Sequence, residues 1–195
     1  MNAQIFLIAP ADADAAGFPA RLSPVLDAAD VSALLLPRGT QAENAYKSLV
    51  KAVLPHAQAR NCAVLIEGEP GWVRLLGADG LHVSGPVADL RHALSVLKPD
   101  MIVGAAGIDS RHEAMAKGEL EVDYIFFGPL SGSTDAASID MAQWWAETME
   151  IPSVISLPQA ETPDAGDCEF LAVGERIWAA DDPAAELARL ASEAR

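Results

Sequence analysis

Short apolar runs alternate with helix-patterned segments along the whole chain, and that alternation restricts the fold more than any other feature. Apolar runs at 4–8, 31–36, 62–66, 80–83, 101–103, 123–127, 152–157 and 169–173 read as eight strands. Helical spacing of apolar residues marks 20–29, 41–59, 87–97, 111–121, 140–149 and 183–194, with a shorter helix at 72–76. The segment 159–167 reads as a loop or a single turn. Strands alternating with helices at this density require a parallel sheet covered by helices. Eight such units in 195 residues predict a single domain, 1–195, folded as a compact α/β (β/α)8 TIM barrel. A doubly wound open sheet is the alternative. It is disfavoured because the turn after the first strand, Ala9-Pro10-Ala11-Asp12-Ala13-Asp14, lacks the glycines of a dinucleotide fingerprint.

Composition then narrows the partners. With 28 acidic against 13 basic residues the formal charge is −15, and no Lys/Arg cluster could track a phosphate backbone. Nucleic acid and anionic membranes are therefore not expected. The N-terminus shows neither the basic nor the long apolar region of a signal peptide, so a cytoplasmic protein is expected. Cys62 and Cys168 each open an apolar run without metal-ligand spacing and read as buried core residues. The adjacent Trp144 and Trp145 cannot both face inward, so one is expected in the core. The other marks a candidate contact with a second copy of the chain.

In a βα barrel the C-terminal strand ends face the active site, so candidates follow from position. They are Arg38 after strand two, Glu67 and Glu69 after strand three, His82 and Ser84 on strand four, and Asp109 after strand five. After strands six to eight come Ser131, Ser133 and Thr134, then Gln159, then Glu175 and Arg176. Alternation places His82 opposite Leu81 and Val83, hence inward, as either a ligand-binding or proton-carrying imidazole or a satisfied structural one. Ser131-Gly132-Ser133-Thr134 could offer hydroxyls and backbone N–H groups to a phosphate, although the same composition suits an ordinary loop. Glu67 and Glu69 read as solvated loop acids, since no Lys or Arg stands near them in sequence to hold phosphates beside Mg²⁺. No metal ligand is assigned.

The Gly80-Leu81-His82 strand, the Val103-Gly104 strand end, the Glu113-Ala114-Met115-Ala116 helix, Asp123-Tyr124-Ile125-Phe126-Phe127-Gly128-Pro129 and Ala172-Val173 occur in an informative order. This order resembles thiamine phosphate synthase and its TenI-type relatives. The resemblance implies a (β/α)8 barrel that joins a pyrimidine pyrophosphate to a thiazole phosphate with Mg²⁺, or, in the TenI-type branch, isomerises the thiazole. It implies a ligand-binding role for His82, Gly128, Pro129 and Ser133 or Thr134. Ser84 and Gly104 join these as ligand-binding candidates, with Arg38, Glu67 and Ser131, while His82 and Asp109 are the catalytic candidates.

The chain departs from the family pattern at several points. Arg38 stands alone and out of register after strand two, Glu67-Gly68 replaces an Asn-Asp pair, and Gly85 and Val87 replace a Gln and an acidic metal ligand. Ala106 replaces a Ser, residues 135–138 lack the expected lysine, Leu157-Pro158 replaces Gly-Gly, and the strand-eight Ser falls near Glu175. Asp109 stands where the tautomerase branch has a histidine. Departure of pyrophosphate needs Mg²⁺ or cationic clamps, and the acidic strand ends oppose it.

Three functions stay open at this point. The chain is a diverged family barrel that binds a small phosphorylated heterocycle, a synthase with repositioned ligands, or a non-catalytic ligand-binding or protein-interaction barrel. Mg²⁺ is implied only for the second.

Overall fold

The computed structural model describes residues 3–193. Eight parallel strands close into a barrel in chain order: β1 Gln4–Ile8, β2 Val31–Leu36, β3 Ala63–Ile66, β4 Gly80–Val83, β5 Ile102–Ala105, β6 Tyr124–Phe127, β7 Ser153–Ser156 and β8 Phe170–Val173. Around it lie α1 Phe18–Ala28, α2 Glu43–Gln58, α3 Pro70–Leu76, α4 Val87–Leu97, α5 Arg111–Gly118, α6 Ala136–Thr148, α7 Glu175–Ala179 and α8 Pro183–Glu193. The expected TIM barrel is the observed fold. Residue 194, included in the expected last helix, lies outside the described residues. No helix among the described residues is long and apolar enough to cross a membrane.

The period-two side-chain alternation of a strand divides the apolar residues into two shells. Phe6, Ile8, Leu35, Leu65, Phe126 and Val154 point into the barrel. Leu7, Leu34, Leu36, Val64, Ile66 and Val103 point outward under the helices. Being buried on both faces, the strands carry almost no polar residues, which is why they read as continuous apolar runs.

At the bottom of the barrel, acids that precede strands cap the backbone of their neighbours. Asp79, just before β4, accepts the Val64 N–H of β3 at 2.8 Å. Asp123, before β6, accepts the Val103 N–H of β5 at 2.7 Å, and Glu169, before β8, accepts the Ser153 N–H and hydroxyl of β7 at 2.8 Å each. Each carboxylate satisfies a strand-end donor that the ladder leaves free. Part of the acidic excess therefore serves the face opposite the strand ends that carry function.

Helix boundaries differ from the expectations where caps decide them. α6 begins at Ala136, four residues earlier than expected, because the Asp135 carboxylate accepts the Ser138 N–H at 2.7 Å. α5 stops at Gly118, and Glu121 takes a left-handed φ of 60°. The stretch after β8, to which the sequence assigned no element, forms the one-turn α7, held down by Trp178, whose indole N–H donates to the Ile8 carbonyl at 2.7 Å. Trp145 is buried and donates to the Ile151 carbonyl, while half-buried Trp144 stacks edge-on against it under the Arg111 guanidinium. Both cysteines are buried, and burial pushes the Cys62 thiol up to about 12 and that of Cys168 to about 11.

Inside the barrel, His82, Gly104 and Tyr124 stand level on three adjacent strands, His82 paired with Gly104 and Gly104 with Tyr124. A Cβ on Gly104 would fall 1.9 Å from Tyr124 Cζ. The missing side chain is the space that the tyrosine ring occupies. Gly104→Ala should cost about 1–3 kcal/mol by overpacking, measured by urea unfolding. In a Tyr124→Ala background most of that penalty should disappear. Equal penalties in the two backgrounds would refute the packing argument.

Candidate functional site

His82 is 3% exposed and does point inward, with its ring edge-on to Phe126 at 5.0 Å between centroids. Its Nδ1 lies 2.8 Å from the Tyr124 hydroxyl. Its Nε2 is the one buried side-chain polar atom among the described residues that lacks a hydrogen-bond partner. Burial lowers its pKa to about 3, so the imidazole is neutral at physiological pH. Burial also raises the Tyr124 phenol well above its ordinary value. Two uncharged groups thus form a polar element within an aromatic interior, Phe6 packing on both Tyr124 and Phe126. Tyr124 was in the family-like segment but was not among the candidate residues. No sequence spacing links it to His82; the register across Gly104 does.

The ends of β2 and β3 form a second group. Glu67 is half-buried, and one of its carboxylate oxygens accepts the Arg38 N–H at 2.7 Å. Burial raises its pKa, and the Arg38 N–H bond and charge oppose the rise. Tyr46 on α2 donates to the Leu36 carbonyl at 2.5 Å and accepts the Glu67 N–H at 2.9 Å, which fixes both strand ends. The Arg38 guanidinium lies 5.1 Å and the Lys47 ammonium 4.4 Å from the centre of the Trp72 ring. Two cations therefore do stand beside the Glu67 loop, contrary to the expectation from sequence neighbours, because α2 and α3 bring Lys47 and Trp72 to Arg38. Adjacent to this group, a cleft of about 280 Å³ is lined by Glu67, Glu69, His82, Ser84, Asp89 and His92. Asp89 and His92, both on α4, had not been selected from the sequence.

The β5 end is organised by a residue that sequence reasoning also passed over. Lys117, 1% exposed, donates to the Ala106 and Gly107 carbonyls at 2.8 and 3.0 Å and pairs with Glu113 at 3.0 Å. Glu113 in turn accepts the Asp109 N–H at 3.1 Å. The i,i+4 spacing of Glu113 and Lys117 was visible, but it did not reveal that the amine turns into the loop. Asp109 is thereby held at the mouth with its carboxylate exposed.

The β6 loop is tied to its neighbours. Thr134 donates to the Ser156 carbonyl at 2.5 Å and Ser133 to the Gln159 side-chain oxygen at 3.2 Å. The Gly132 N–H donates to the Glu175 carboxylate at 2.7 Å. Gly128 holds φ at 97°, and a Cβ there would meet Thr134 Cγ2 and the Ser156 carbonyl at 3.1 Å. Ser131 is exposed, and Leu130 beside it packs on the inner apolar shell. A cleft of about 270 Å³ is lined by Gly132, Ser133, Thr134, Leu157, Gln159 and Ala160. The candidates thus occupy one end of the barrel, with one group at β2–β4, another at β6–β8, and Gly104 and Asp109 on β5 and its loop between them.

A profile of the thiamine monophosphate synthase family matches residues 5–156, which includes both groups up to the end of β7. The chain belongs to that family. Thiamine-phosphate synthase of Rhodospirillum centenum is 32% identical over 186 residues, covering 91% of this chain and 90% of the relative. The enzyme of the same name from Hyphomonas neptunium is 32% identical over 197 residues, covering 93% and 89%. Among solved structures, thiamine phosphate pyrophosphorylase from Pyrococcus furiosus superposes with a TM-score of 0.79 at 14% identity, covering 98% of this chain and 95% of that one. KGPDC from Streptococcus mutans gives 0.73 at 13% identity, covering 99% and 97%. At such identities the two structures share the fold alone. Membership in the thiamine monophosphate synthase family rests on the profile and the sequence relatives.

The buried imidazole has a measurable signature. Between its unfolded value of 6.5 and its folded value of about 3, the unfolded chain binds a proton at His82 that the folded chain does not. Stability therefore falls as pH is lowered through that window, by about 1.4 kcal/mol per pH unit for this group. On going from about pH 7 to about pH 5, the wild type should lose about 2 kcal/mol more than His82→Asn. Denaturant melts of both proteins at the two pH values measure this, and equal losses would show that His82 is not buried neutral.

Proposed function

We propose that this member of the thiamine monophosphate synthase family binds a small phosphorylated heterocycle of thiamine-related metabolism at the C-terminal end of its barrel. The observation that carries this reading is His82. A neutral imidazole with one nitrogen engaged by Tyr124 and the other without a partner is suited to hydrogen-bond an uncharged heteroaromatic ring. The Gly132-Ser133-Thr134 loop across the barrel end supplies the donors for the phosphate, with Ser131, Gly128, Ser84 and Gly104 shaping the approach. Asp109 is the acid or base candidate, exposed on a loop held by Lys117.

We further propose that the family's usual transfer is not this chain's principal activity. Its pyrophosphate leaving group needs concentrated positive charge. Around the barrel end Glu67, Glu69, Asp109 and Glu175 face that task with Arg38 and Lys47, both already stacked on Trp72. A synthase with repositioned ligands is the second reading, favoured by that same pair of cations beside the cleft. Among the described residues no three His, Cys, Asp or Glu side chains gather as a metal site. Mg²⁺, however, requires only one or two carboxylates beside substrate phosphates. Exposed Glu69 and Asp89, which line the cleft with Glu67, are the carboxylates that would hold it. When bound, it would neutralise charge on the departing pyrophosphate.

Thermal-shift titrations with thiamine phosphate, the thiazole phosphate and the pyrimidine pyrophosphate, each with and without Mg²⁺, test both readings. A ligand at about 100 times its dissociation constant stabilises by about 2.7 kcal/mol. Stabilisation by the thiazole phosphate or thiamine phosphate without Mg²⁺, weakened in His82→Asn, is the expected result. Mg²⁺-dependent stabilisation by the pyrophosphate together with turnover would establish the second reading. No shift with any of the three would overturn heterocycle binding and favour a protein-interaction barrel.

A further inference from the structure

We propose that Glu175 is a built-in competitor for the phosphate of the ligand: its carboxylate holds the Gly132 N–H, and a phosphate binds there only by displacing it. This rests on the reading of the barrel end as a site for a phosphorylated ligand. Glu175 is the first residue of the five-residue α7 that follows β8, and its side chain reaches the loop after β6.

The geometry is specific. The Gly132 N–H, on a residue with φ of 82°, donates to Glu175 Oε2 at 2.7 Å across 43 positions of sequence. A carboxylate oxygen makes the same charge-assisted bond with a backbone donor that a phosphate oxygen would make. Of the loop's neighbouring donors, Ser133 and Thr134 are bound to neutral acceptors on the Gln159 side chain and the Ser156 backbone. Gly132 alone of the three is bound to an anion.

Among the described residues, the two guanidiniums of this region are paired with carboxylates other than Glu175. Arg176, the residue after Glu175, pairs with Glu186 at 2.6 Å and reaches toward Glu161 at 3.7 Å. Arg189 pairs with Glu186 at 2.8 Å and with Glu193 at 2.6 Å. The two guanidiniums, Arg189 foremost, hold the Glu186 carboxyl down at about 2. An arriving phosphate therefore meets a competitor for its donor and a like charge at the same point.

Displacement needs only a side-chain rotation. Glu175 is exposed, whereas the backbone that carries it is anchored. The Arg176 N–H donates to the Pro158 carbonyl at 2.9 Å, and Trp178 bonds to the Ile8 carbonyl. Gly174 lies so close to β1 that a Cβ would stand 2.9 Å from Ile8 Cβ and from the Ile8 carbonyl oxygen. The carboxylate thus swings toward solvent while α7 stays in place. The consequence is selectivity: displacing Glu175 weakens binding of a phosphate group alone, and a ligand that gains contacts elsewhere in the site overcomes that cost.

Inorganic phosphate is the probe, titrated into the full chain of the wild type, Glu175→Gln and Glu175→Ala, with the Gly132 amide followed by NMR. Glu175→Ala should bind phosphate about tenfold more tightly than the wild type, with Glu175→Gln between them. The Gly132 amide resonance should move as phosphate binds to the variants. Equal affinities in all three proteins, binding that leaves Gly132 unmoved, or no binding to any of them would overturn the proposal. Unchanged melting temperatures of the variants before titration establish that the fold is intact. Failure of heterocycle binding in the thermal-shift series, with phosphate still binding more tightly to Glu175→Ala, would remove the proposed function and leave this inference standing.

Discussion

A tyrosine ring laid across a glycine sets the interior of this barrel. Eight parallel strands leave a channel that side chains must fill, and the polar atoms placed there must find partners without water. Gly104 contributes nothing to the filling, so Tyr124 reaches across β5 and meets His82 on β4. That single contact satisfies one nitrogen of the imidazole and supports the aromatic group of Phe6 and Phe126. It also leaves the other nitrogen buried and unpartnered, a condition that a folded chain tolerates at a small number of sites and that function commonly explains.

The legible part of this protein is the part that depends on periodicity. Eight apolar runs separated by helical segments determine a closed parallel sheet, and a period of two is sufficient to turn His82 inward between Leu81 and Val83. What escaped sequence reasoning depends on distances through space. Lys47 and Trp72 approach Arg38 because α2 and α3 pack beside one another, and Asp89 enters the β3–β4 cleft from the first turn of α4. Lys117 could be paired with Glu113 on helical spacing, yet its burial beneath the β5 loop follows from how α5 docks on the barrel. The α7 turn is too short for a periodic signal, and its anchor, the bond from Trp178 to Ile8, joins opposite ends of the chain.

The net charge of −15 likewise has a different meaning once placed. Asp79, Asp123 and Glu169 precede strands at the N-terminal end of the barrel, where each holds a backbone donor of the preceding strand. They bear on stability. At the other end both signs occur on each side, Arg38 and Lys47 beside Glu67 and Glu69 on the β2–β3 side, and Glu175 beside the Arg176–Glu186–Arg189 network on the β7–β8 side.

The two classes of residue differ in how replaceable they are. Strand pairing and the two apolar shells are carried by many residues, each replaceable by another of similar shape, so 14% identity still leaves a TM-score of 0.79. Departure of a pyrophosphate has no such redundancy, because each cation at the leaving group must be present at its own place. On the proposed reading, the His82–Tyr124 pair inside the barrel meets an uncharged ring, and Arg38, Glu67 and Glu175 at its end meet charge. On that reading, ring recognition rests on the barrel interior, where packing restrains substitution, and charge handling rests on the strand ends, where exposed side chains are restrained less.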